Sequence, residues 1–230
     1  MIDIRAFDSL GHADHGWLDA HHHFSFADYH DPDRMGWGRI RVWNDDRIAG
    51  KSGFPPHPHR DMEIITYVRT GAITHQDSMG NKGRTAAGDV QVMSAGTGVV
   101  HAEFNLEDED TTLFQIWVET DRASAQPAWG AMPFPKESRQ GSFQLLASGD
   151  SDDGALTINA DARVLGATVK TGDSVAYETD PGRHVYLVAS GKVRVNGKAA
   201  NSRDGIAITG EPSVTIEADE DSELVLVDAR

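Results

Sequence analysis

The sequence predicts an all-β protein made of two β-sandwich or jelly-roll barrel units in tandem, and three observations lead there. Short runs rich in Val, Ile, Thr, Tyr and Trp recur along most of the chain, each bounded by Gly, Asp, Asn or Pro. Stretches of helical period are few. The third observation is a repeat. ITYVRTGAITHQDSMG at 65–80 and VYLVASGKVRVNGKAA at 185–200 share a strand, a glycine turn at Gly71 or Gly191, and a second strand ending in a polar turn. GDVQVM at 88–93 is echoed by DGIAIT at 204–209, so two copies of one β unit lie about 120 residues apart.

In chain order the strand candidates of the first copy are GRIRVWNDD (38–46), EIITYVRTGAITHQDSMGN (63–81), GDVQVMSAGTG (88–98) and TLFQIWVET (112–120). The segment ASAQPAWGAMPFPK (123–136) carries Pro127, Pro133 and Pro135 among small and polar residues, the composition of a linker or an extended crossing segment. RVLGATVKTGD, RHVYLVASGKVRVNG, SVTIEAD and ELVLVDA supply the second copy. The expected organisation is therefore a first domain over 1–125, a linker or crossing segment over 126–140, and a second domain over 141–230.

Composition narrows the chemistry. A hydrophobic fraction of 39% and a charged fraction of 25% over 230 residues are those of a globular protein with a real core. A net charge of -15 disfavours direct nucleic-acid binding and anionic membrane surfaces, since both repel an acidic protein. The chain has no cysteine, which excludes disulfides, thiolate catalysis and thiolate-held metals, so any metal must be held by His and carboxylate. The first twenty residues, MIDIRAFDSLGHADHGWLDA, are charged throughout with no apolar run. Neither a signal peptide nor a membrane span is expected, and a cytoplasmic location follows as the expectation.

The stretch FPPHPHRDMEI (54–64) sets His57 and His59 two apart after a Pro-Pro turn. On a strand that spacing puts both imidazoles on one face, about 7 Å apart along it. The run GDVQVMSAGTGVVHAEFN (88–105) repeats the device, with His101 and Glu103 two apart after a glycine-rich turn at Gly96 and Gly98. His57, His59, His101 and Glu103 make three imidazoles and one carboxylate on two strands, a set suited to one divalent transition metal such as Fe, Mn, Ni, Co, Cu or Zn. Six-coordinate geometry leaves two positions open for chemistry. In the second copy Tyr177, Thr179 and Arg183 fall opposite His57, His59 and Glu63, and the only histidine is His184, so a metal site belongs to the first copy alone.

The HxH pair with Glu63 four residues on, followed by His101 and Asn105, resembles the two cupin motifs. HFSFADYHDP (23–32), GWGRIRVWNDD (36–46), GFPPHPHRDMEIITYV (53–68), HQDSMGN (75–81), GDVQVMSAGTGVVHAEFN (88–105) and LFQIWVE (113–119) are similar in particular to the pirins. The resemblance is dense over about residues 20–120 and weaker beyond. It implies a bicupin whose first barrel binds one metal, with iron the leading candidate, and whose second barrel has lost its ligands. It implies Glu103 as the carboxylate ligand, where many cupins use the carboxylate at Glu63, here expected to hydrogen-bond behind the ligands. It further implies an activity like that of quercetin 2,3-dioxygenase, with a flavonol and O₂ as substrates and Glu103 as general base. The alternative is a non-enzymatic, metal- or redox-sensitive module that binds a protein partner. Of the other candidates, His21, His22 and His23 read as a turn with one histidine inward, His75 and Asp77 as a hairpin cap, His184 as filler, and Phe54 and Met93 as pocket walls.

Overall fold

The computed structural model describes residues 1–151 and 153–230. It is 57% strand and 4% helical, and the helical part consists of single 3-10 turns, so the all-β expectation holds. Two seven-stranded and two four-stranded antiparallel sheets are formed, apart from one short parallel pair. In the first half the large sheet runs Ala128–Met132, Val90–Ser94, Met62–Thr70, Thr111–Glu119, Ile40–Ile48, Leu18–His22, Gly11–Asp14. Its small sheet runs Ser52–His59, Val99–Asn105, Ala72–Asp77, Lys82–Ala86. The second half repeats the plan, with His184–Ala189, Ser222–Ala229 and Ala162–Val169 at the middle of its large sheet.

Two strands lie away from the order of the chain. Ile2–Arg5 pairs with Gly205–Thr209, Ile2 opposite Ile208, and so completes the sheet of the second half. Ala128–Met132 pairs with Val90–Ser94, Trp129 opposite Met93, and forms the edge of the first half's large sheet. Pro127 and Pro133 bracket that strand, as suits an edge, where a missing N–H costs no ladder bond.

The two large sheets pack face to face. One apolar cluster draws Trp43, Tyr67, Phe114 and Ile116 from the first half and Tyr186, Val188, Val225 and Val227 from the second. Strand alternation then sends the intervening residues of the first half, among them Asp46, Thr66, Gln91, Gln115 and Trp117, toward its own small sheet. That interior is not a continuous apolar core. It is split into a cluster around Ile48, Val68, Ile73 and Leu113 and another of Ile64, Met93, Ala95 and Val99, with polar side chains between them. The matching interior of the second half holds one apolar cluster that runs from Leu165 to Leu226 and takes in Ile2. The cavity that opens into the first sandwich lies between its two clusters. Among the described residues no helix is long and apolar enough to cross a membrane.

Candidate metal centre

His57 and His59 stand on Ser52–His59, and His101 and Glu103 on Val99–Asn105. The two strands pair with His101 opposite His57 and Glu103 opposite Phe54, which leaves one extra residue on the first strand. The irregularity falls at Pro55–Pro56, whose nitrogens have no hydrogen to donate to a ladder. The bulge changes the alternation, so Phe54 and His57, three apart, both reach one cavity.

The ring nitrogens of His57, His59 and His101 lie within 4.8 Å of one another. His57 Nδ1 is 2.8 Å from the carbonyl oxygen of Pro55, and because a carbonyl only accepts, Nδ1 is the donor, which in the neutral ring leaves the lone pair on Nε2. Nε2 of His57 is 3.0 Å from Nε2 of His101. Burial, and then crowding by His57, pushes the His59 imidazole down to about 4. Burial followed by His57, His59 and His75 pushes His101 further down still. His59 and His101 are therefore neutral at pH 7, the form a metal requires. Trp117 meets His59 edge to face at 5.0 Å and fixes its plane. The donor set fits a metal ion, since two ligands at right angles with bonds of about 2.1 Å would sit about 3 Å apart.

Glu103 lies beside this cluster on the cavity wall and is 2% exposed. It shares a second compact set with His101 and His75. Gln91 Nε2 (2.6 Å) and Thr66 Oγ1 (3.2 Å) donate to Oε1, and Gln115 Nε2 (2.5 Å) donates to Oε2. Burial outweighs these three donors and raises the carboxyl of the metal-free chain to about 7. Glu63 is elsewhere, accepting from Ser94 Oγ at 2.5 Å and outside both histidine sets. Asn105 is structural, donating to the carbonyls of Ile48 and Glu109 at 3.0 and 2.8 Å.

The cavity holds about 180 Å³ of interior space and opens to solvent at its mouth. Leu18, Phe26, Phe54, Ile64 and Trp117 form its apolar walls, and Met93 lies in one of the small apolar clusters instead. The polar side holds Asn44, bonded to His22 Nδ1 at 2.8 Å, and Asp46, one of whose oxygens is buried without a hydrogen-bond partner. Burial, then the nearby Asp45 and Glu103, pushes the Asp46 carboxyl well above the usual carboxylate range.

The histidine run places two side chains inward where the sequence suggested one: His22 on the cavity and His23 against Tyr186 Oη at 3.0 Å. Asp77 does cap its turn, but His75 is buried against His101. His75, Asp46, Gln91 and Gln115 were missed. A signal existed for Gln91 and Gln115, lone amides within the apolar runs VQVM and LFQIWV. In the second half, Tyr177 Oη and Thr179 Oγ1 donate to Asp228 Oδ2 at 2.7 and 3.1 Å, and Arg183 Nε donates to its other oxygen. The polar groups there satisfy one another.

A tandem pair of β-sandwiches with a histidine cluster opening into the first is a bicupin. The family profile described as Pirin matches residues 3–118, and one described as the quercetinase C-terminal cupin domain matches 145–229. A pirin-like protein of Caulobacter vibrioides is 63% identical over 231 residues, covering 100% of both chains. A protein of Escherichia coli K12 named quercetin 2,3-dioxygenase is 43% identical, covering 99% of this chain and 98% of its own. The crystal structure of Escherichia coli YhhW superposes with a TM-score of 0.95 at 41% identity, covering 100% of this chain and 98% of that one. The bacterial pirin YhhW in complex with nickel(II) gives 0.93 at 42% identity, covering 100% and 99%. The chain belongs to the pirin family.

Proposed function

We propose that this chain is a metal-dependent dioxygenase that cleaves flavonols such as quercetin with O₂, with residues 1–125, apart from Ile2–Arg5 and with the edge strand Ala128–Met132 added, forming the metal-binding domain and 141–230 the scaffold. The observation that carries this reading is the meeting of three imidazoles from two strands beneath an open cavity with aromatic walls. The relative named quercetin 2,3-dioxygenase and the relative solved with nickel(II) support it.

His57, His59 and His101 hold the ion in this reading, with Glu103 as the carboxylate ligand. A bound divalent metal, iron first among Fe, Mn, Ni, Co, Cu and Zn, supplies Lewis acidity and the affinity for O₂. Phe26, Phe54 and Trp117 exclude water and flank a flat ring. Glu103, the one carboxylate in the set, takes the flavonol hydroxyl proton, a transfer that binding of the flavonol oxygen to the cation would favour. Gln91, Thr66 and Gln115 hold that carboxylate still while it does so.

The test is His101→Ala, followed by elemental analysis and by loss of flavonol absorbance under air. The change should abolish both bound metal and turnover. Turnover that survives the substitution refutes the site. An iron-loaded wild type with no turnover and a specific protein partner would return the chain to the regulatory alternative.

A further inference from the structure

His75 and Asp77 are outside the proposed ligand set, yet they are built into its back wall. Ala72–Asp77 pairs with Val99–Asn105 so that Asp77 lies opposite His101 and His75 opposite Glu103. His75 is 0% exposed, and its ring stacks on Trp129 at 4.9 Å with 10° between the planes. Its Nε2 is 3.0 Å from Asp77 Oδ2, and its Nδ1 is 3.4 Å from His101 Nδ1. Asp77 is itself anchored. Its Oδ1 accepts from the backbone N–H groups of Met79 (2.9 Å) and Asn81 (3.0 Å), and its Oδ2 from Asn81 Nδ2 (2.9 Å).

One charge fixes every proton in this chain of groups. Burial raises the Asp77 carboxyl, but hydrogen bonds from Asn81, His75 and Met79 more than offset it and hold the group below the usual carboxylate range. An ionised carboxylate only accepts, so His75 carries its proton on Nε2. With Nε2 turned to Asp77, the Nδ1 of a neutral His75 ring is bare and can only accept. The facing Nδ1 of His101 must be the donor. That leaves the His101 lone pair on Nε2, the atom 3.0 Å from His57 Nε2.

We propose that His75 and Asp77 are a positioning pair that locks His101 as an Nε2 donor toward the metal and strengthens it by passing on the Asp77 charge. The proposal rests on the metal reading above. A metal-bound histidine whose second nitrogen donates to an anchored acceptor is held in orientation and is a stronger base, and loss of such a partner typically lowers metal affinity by about 10–100-fold. His75 is not an alternative ligand, because Asp77 occupies one nitrogen and His101 the other.

The experiment compares wild type with His75→Phe, which keeps a ring against Trp129 and removes both nitrogens, and Asp77→Asn, which keeps the shape and removes the charge. Nickel(II) affinity is measured by competition with a chelator. The His101 tautomer is read by nitrogen-15 NMR on metal-free protein, and thermal unfolding of the metal-free variants reports folding separately. The expected result is a protonated Nδ1 and bare Nε2 at His101 in wild type, with nickel affinity about 10–100-fold lower in His75→Phe and reduced by a smaller factor in Asp77→Asn. If His75→Phe fails to fold, Asp77→Asn carries the test. A wild-type His101 protonated on Nε2, or variants that bind nickel within twofold of wild type, overturns the pair while the metal reading stands. A wild type that binds no nickel removes the metal reading and the pair with it.

Discussion

Mild acid should weaken the junction between the halves, and His23 is the residue through which it acts. Its imidazole is fully buried, with Nδ1 3.0 Å from Tyr186 Oη and no hydrogen-bond partner for Nε2. Burial first, then the positive groups Arg203, Arg5, His21 and Arg34 that face it, hold it well below the ordinary 6.5. The unfolded chain takes up this proton near 6.5, whereas the folded chain refuses it. The sign follows: stability is fully present above about 6.5 and is lost as pH falls below it. Between pH 7.5 and 5.5 the loss is RT ln(11/1.1), about 1.4 kcal/mol for one such histidine. In a chain of this size that corresponds to a fall in Tm of about 3–5 °C. The assay is thermal unfolding of metal-free wild type and His23→Gln at pH 7.5, 6.5 and 5.5. Other buried histidines, including His22 and His75, add a slope common to both proteins. The difference between the two slopes is therefore the diagnostic quantity. Wild type should lose about 1.4 kcal/mol more than the variant across the range, and parallel slopes would refute the reasoning.

The remaining predictions concern the carboxylate and the strand that carries the ligands. Glu103→Gln sets an amide N–H₂ against Gln91 Nε2 or Gln115 Nε2, both already donors, and should cost about 1–3 kcal/mol of stability along with turnover. Denaturant unfolding checks it, and an unchanged midpoint would mean the carboxylate is not held from both sides. Gly53→Ala would place a Cβ 2.3 Å from the backbone oxygen of Glu103 and 2.5 Å from Phe104 Cα, forcing the two ligand strands apart. Metal content after purification should drop sharply, and full retention of metal would show that the pairing tolerates the shift.

Spacing along the chain carried much of this. An HxH and an HxE, each two apart, put ligands on one face whatever the fold around them, because strand alternation has a period of two. The glycine turns at Gly71 and Gly191 exposed the tandem plan for the same reason, since a repeat is visible without knowing what it packs against. Cysteine counting removed whole classes of chemistry at once.

Alternation says which residues share a face, but not which face looks inward or which distant strand lies alongside. Those depend on register, and register is set by the packing of all the strands together. Hence Asp46 and Gln115 could not be placed on the cavity, nor Gln91 against Glu103, until the pairing of the strands was known. The exchange of Ile2–Arg5 into the second half's sheet, the bulge that turns Phe54 inward, and the alignment of Asp77 and His75 behind His101 all arise from contacts between segments far apart in sequence. The order of residues settles what this protein has available to bind a metal; the closure of the first sandwich around a divided core brings those groups within reach of one another, because long-range pairing, not local spacing, sets the distances between strands.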